Sequence, residues 1–94
     1  MVWERELHRI QERMRGGRFI LTVHADEEMD NDGLSLDDVV NGILTGAILE
    51  RQQDRITPGW KYRIRGESLA GDEVEVVAKI GATGKVVIIT VFLS

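Results

Sequence analysis

The stretch Thr22 to Val40 reads TVHADEEMDNDGLSLDDVV. It holds seven carboxylates and no Lys or Arg, and it contains one of the two histidines, His24. Thr22 closes a β-prone run, Phe19 to Val23, and stands where a helix N-cap belongs. The spacing predicts a helix over about His24 to Asn31. Asp26, Glu27 and Glu28 fall in its first turn, where negative charge meets the positive end of the helix dipole. Asn31-Asp32-Gly33 breaks that helix. Ser35 then opens another, with Asp38 three residues on in capping-box position. Leu36, Val39, Val40, Ile43 and Leu44 give the second helix an apolar face, and Gly46 is read as its stop.

Upstream, residues 2–15 read as an amphipathic helix. Trp3, Leu7, Ile10 and Met14 make one stripe at helical period, and Gly16-Gly17 ends it. Arg5, Arg9 and Arg13 form a second stripe, read as a solvated face or as a partner contact. Downstream, Ala47 to Gln53 is a strand candidate and Thr57-Pro58-Gly59 a turn. Trp60 to Arg65 alternates: Trp60, Tyr62 and Ile64 face one way, and Lys61, Arg63 and Arg65 the other. Glu73 to Ile80 alternates too, with Val74, Val76, Ala78 and Ile80 on the apolar side. Gly81 to Gly84 is a hairpin turn. Val86 to Leu93 is apolar on both faces, as an interior strand is, and only Thr90 interrupts it. The expected fold is α+β. An N-terminal helix, a short strand and two helices precede a three- to four-stranded antiparallel sheet, with the helices on one sheet face.

The 94 residues make one domain of modest core, for which a partner or a second copy adds stability. The chain has no cysteine, so disulfides and thiolate zinc sites are excluded. No apolar run is long enough to span a membrane, and MVWERELHRI has no apolar signal core, so a cytoplasmic, membrane-free protein is expected. The net charge of −4 is unevenly spread. Residues 1–21 carry five basic and three acidic groups, residues 22–50 eight acidic and no basic ones, and residues 51–94 seven basic and five acidic ones. That balance argues against non-specific nucleic-acid binding but leaves room for a local phosphate site.

Three features carry candidate chemistry. His24, at a helix start beside carboxylates, is of the residue type most used as a general acid or base. The plain alternative is a histidine bonded locally. His24 and Glu28, four apart, share a helix face, yet no third ligand accompanies them, so neither a metal nor a cofactor is expected. Lys61, Arg63 and Arg65 form a positive row suited to phosphate, or an ordinary solvated sheet face. Thr90 is a site hydroxyl or simply a β-branched strand residue.

Read together, several short motifs resemble the small bacterial family catalogued as domain of unknown function number 4258. They are His24-Ala25, Met29, Gly33-Leu34, Asp38-Val39, Gly46, Tyr62-Arg63-Ile64-Arg65-Gly66 and Thr90-Val91-Phe92, spanning about residues 19–92. The family's usual pattern has Arg where this chain carries Glu28 and Asp32. That family looks like RelE-type toxin ribonucleases, in which two helices pack on a curved antiparallel sheet. It is often found beside an antitoxin-like partner. The resemblance implies His24 as acid/base, Arg63 as phosphate clamp and Thr90 as a polar site residue. Lys61 and Arg65 would be RNA or phosphate contacts. The implied reaction is metal-independent RNA cleavage with the 2′-hydroxyl as nucleophile. Two other functions compete with it. One is a non-catalytic protein-binding module, favoured by the acidic middle of the chain. The other is a homodimeric structural domain.

Overall fold

The computed structural model describes residues 2–94. The chain runs α1 (Glu4–Arg15), β1 (Phe19–Leu21), α2 (Val23–Asp32), α3 (Leu36–Leu44), β2 (Ala47–Gln53), β3 (Trp60–Glu67), β4 (Glu73–Ile80) and β5 (Val86–Leu93). The fold is α+β, and its sheet has five strands in the order β1-β5-β4-β3-β2. Strands β2 to β5 form an antiparallel meander. The sheet as a whole is mixed, because β1 lies parallel to β5, with Phe19 beside Val86 and Leu21 beside Ile88. This corrects the expected three- to four-stranded antiparallel sheet. Two helices and three strands separate β1 from β5, so the pairing is non-local and no turn signal announces it.

One core joins the helices to one face of the sheet. Ile10 and Met14 of α1, Ala25 and Met29 of α2, and Val39 and Ile43 of α3 are buried against Ile64, Val74, Val76, Ala78, Val86, Ile88 and Val91. In the α1 stripe, Ile10 and Met14 are buried, Leu7 packs against the core, and Trp3 is half-buried. Gln11 Nε2 donates to the carbonyls of Ile43 (3.1 Å) and Leu44 (3.4 Å), two of the acceptors that the end of α3 leaves open. Arg13 is not simply solvated: its Nε donates to Gly84 O at 2.7 Å and ties α1 to the β4–β5 turn.

The caps read from sequence form. Thr22 Oγ1 accepts from Ala25 N at 3.1 Å, and Ser35 and Asp38 exchange the reciprocal bonds of a capping box. Gly46 has another reason to be there. Helix α3 stops at Leu44 with Thr45 as its cap. A Cβ on Gly46 would lie 2.6 Å from Gly42 O and 2.7 Å from Ile64 Cγ2. A Cβ on Gly66 would overlap the Gly42 carbonyl. These glycines let α3 sit directly on β3, which accounts for the glycine closing the Tyr62–Gly66 motif.

The edge of β5 decides what α2 does. β1 covers only Val86 to Ile88. Beyond it, Thr22 Oγ1 donates to Ile89 O at 3.0 Å. Val91 N then donates to Glu28 Oε1 (3.1 Å), and Leu93 N donates to Asp32 Oδ2 (3.2 Å). Two helix carboxylates therefore stand in for the missing strand and close an edge that would otherwise offer free donors. Arg has no acceptor, so it cannot take either position in the same way.

Candidate functional site on the helix-free sheet face

Alternation along β3 puts Lys61, Arg63 and Arg65 on the face the helices leave open. Register then sets their neighbours. Arg63 lies beside Val77, and Val77 beside Thr90, so Arg63 and Thr90 share one cross-strand row. Arg65 lies beside Glu75, and Arg63 beside Glu50 of β2.

Three glutamates meet the two arginines. Arg63 Nε is 3.4 Å from Glu50 Oε1 and 3.4 Å from Glu75 Oε1. Arg65 is 3.4 Å from both Glu73 and Glu75. Glu75 is the buried hub: its side chain is only 6% exposed, and Ser94 Oγ also donates to it at 3.1 Å. The Arg63–Glu75 contact is electrostatic rather than directional, because neither Arg63 Nε nor Glu75 Oε1 has a hydrogen-bond partner of good geometry. Glu50 is partly exposed and accepts from Gln52 Nε2 at 2.8 Å. The row thus carries three cations against three carboxylates, with the outer side of Arg63, 35% exposed, still open to solvent.

Lys61 differs from its neighbours. Its ammonium makes no hydrogen bond or ion pair with any described residue, and it lines a cleft of about 740 Å3. The other cation there is Lys79, whose ammonium donates to Asp54 (2.8 Å), Thr57 Oγ1 (2.7 Å) and Pro58 O (3.3 Å). These bonds fold the β2–β3 loop over the sheet and make it a cleft wall. Lys79, first, then Thr57 and the Ile56 N–H, holds the Asp54 carboxyl far below the usual carboxylate range.

His24 lies at the edge of this arrangement. It follows Thr22, which lines the same cleft, by two residues. Its Nε2 is 3.2 Å from Glu28 Oε1, and its side chain is 66% exposed. Through Glu28 it connects to Val91 N, next to Thr90. Among the described residues no contact joins His24 to Arg63 or Thr90. The fold therefore brings Lys61, Arg63, Arg65 and Thr90 to one face and sets His24 at its β5 edge. Sequence reading missed Glu50 and Glu75. The alternation of β4 signalled Glu75, since it places Glu73 and Glu75 opposite Val74 and Val76, but only register shows that they meet the arginines. No three His, Asp or Glu side chains cluster as metal ligands among the described residues.

The model of the DUF4258 family, a domain of unknown function, matches residues 21–93. The chain belongs to that family. The match begins after α1, which is laid against the family core by Ile10, Met14, Gln11 and Arg13. No curated protein and no solved structure matches the chain. Among the described residues no helix is long and apolar enough to cross a membrane.

Proposed function

We propose that this chain is a metal-independent endoribonuclease of the toxin type, built on a RelE-like sheet and acting on cytoplasmic RNA. The observation that supports it is the sharing of one helix-free face by Lys61, Arg63, Glu50 and Thr90, with a cleft beside them. In this reading Arg63 holds the scissile phosphate and stabilises the charge that develops on it. Glu50, the carboxylate beside it, takes the proton of the 2′-hydroxyl. The freed oxygen attacks phosphorus, the 5′-oxygen leaves with a proton, and a 2′,3′-cyclic phosphate remains. Lys61 and Arg65 draw the flanking phosphates, and Thr90 lines the same row. His24, at the β5 edge of that face, is the candidate acid.

Each acid–base residue should contribute about 10²–10⁴-fold. The test compares Glu50→Gln with His24→Ala on a short RNA, scoring cyclic-phosphate product. Loss in both supports the pair. Loss in neither removes the reading.

A second reading has its own observation. Glu75 shares its charge between Arg63 and Arg65 while Asp26, Glu27, Asp30 and Asp37 stand exposed on α2 and α3. A neutralised sheet face and an acidic helical face fit a binding module for a basic, antitoxin-like protein, or a domain that pairs with its own copy.

A further inference from the structure

Apart from Lys61, the residues lining the cleft under the β2–β3 loop have no part in the cleavage chemistry. Val87 and Ile89 of β5, Ile56, Thr22 and Lys61 line it, together with Asp54, whose carboxylate is paired with Lys79. No aromatic ring and no arginine lines it, so it offers nothing for a nucleobase to stack on. Its volume of about 740 Å3 lies in the range of small-molecule sites. Lys79 uses all three of its donors on the loop, so it holds the wall in place and has none left for a ligand. Lys61 is half-buried and has no partner among the described residues. Ile56 is 93% exposed, a large aliphatic side chain with nothing packed on it. The cleft is therefore preformed and aliphatic, with one uncompensated ammonium at its side.

From this geometry we infer a binding site for a small aliphatic carboxylate. Its chain lies along Val87 and Ile89 under Ile56, and its carboxylate pairs with Lys61. A positively charged amphiphile is repelled by Lys61, and a neutral one gains only the apolar contact. The inference shares Lys61 with the proposed RNA contacts but uses neither Arg63 nor Glu50, and its octanoate readout is separate from cleavage.

The test is a titration of the full chain with sodium octanoate, followed residue by residue by NMR. Saturable shifts centred on Ile56, Lys61, Val87 and Ile89 are expected. Octylammonium should produce none. Lys61→Gln should weaken octanoate binding at least roughly tenfold, the scale of losing one hydrogen bond to a charged group, and Lys61→Arg should retain most of it. The spectrum of each variant reports whether it is folded, and Lys61→Arg keeps the test open if Lys61→Gln is not. Equal response to octanoate, octylammonium and octyl glucoside would overturn the proposal, as would unchanged affinity in folded Lys61→Gln or no saturable shift. Shifts of the cleft residues on simple dilution of the protein would overturn it too, because a second copy would then be the occupant.

Discussion

Replacing Glu28 with alanine tests how the sheet edge is held. Val91 is fully buried, and its N–H donates to the Glu28 carboxylate at 3.1 Å. Removing the carboxylate leaves that donor without an acceptor, in a position where β1 no longer runs alongside β5. Hydrogen bonds to charged groups contribute about 1.5–3 kcal/mol, and an orphaned buried donor costs about as much. Glu28 is 24% exposed, so solvent offsets part of this and the lower half of the range is the expectation. The contact with His24 adds little, because that imidazole is mostly exposed. Urea unfolding of Glu28→Ala should therefore show a loss of about 1.5–2 kcal/mol, equivalent to roughly 6–16 °C in melting temperature for a domain this small. Glu28→Gln keeps a carbonyl acceptor and should lose less than half as much. His24→Ala should stay within about 0.5 kcal/mol of the parent. An alanine variant as stable as the parent would refute the edge-capping account, and so would a glutamine variant as damaged as alanine.

Gly66→Ala should destabilise by about 1–3 kcal/mol in the same assay, because its Cβ overlaps the Gly42 carbonyl and α3 must move off β3. Stability should also fall in acid. The Ser35 and Leu69 N–H groups and the Ser35 hydroxyl lower the Asp38 pKa from its ordinary 3.8, and the bonds from Lys79, Thr57 and Ile56 lower that of Asp54. A folded pKa below the unfolded one gives stability that is complete above the unfolded value and declines as pH falls through the folded one. Unfolding free energy should thus be level above about pH 5 and drop below about pH 4. In Asp54→Asn the drop should be shallower, and an equally steep drop would remove Asp54 from the account.

Much of the fold was legible because local chemistry decided it. Thr22 is both β-branched and a cap, so it marks the switch from strand to helix. Ser35 and Asp38 close a box that needs only each other, and the alternation from Trp60 and from Glu73 fixes which side chains share a face. What escaped sequence reading depends on partners far along the chain. Phe19 to Leu21 cannot announce that Val86 to Ile88 will lie beside them in parallel. Glu28 and Asp32 read as added negative charge, whereas the structure uses them as acceptors for Val91 and Leu93. Lys61, Arg63 and Arg65 read as a positive row because their own strand shows only cations. Register with Glu50, Glu73 and Glu75 gives both arginines carboxylate partners and leaves Lys61 without one. Nothing local marks Lys79, whose bonds to Asp54, Thr57 and Pro58 are what fold the loop over the cleft.

The most direct test of the proposed activity is a cleavage assay on a defined RNA in excess EDTA, with the product ends identified by mass. Cleavage should persist without divalent cations and leave 2′,3′-cyclic phosphate. Arg63→Ala should lower the rate about 10²–10³-fold while RNA binding changes less, because the clamp acts chiefly on the transition state. Intact RNA with the folded parent protein, or an Arg63→Ala variant that cuts at the parent rate, would contradict it.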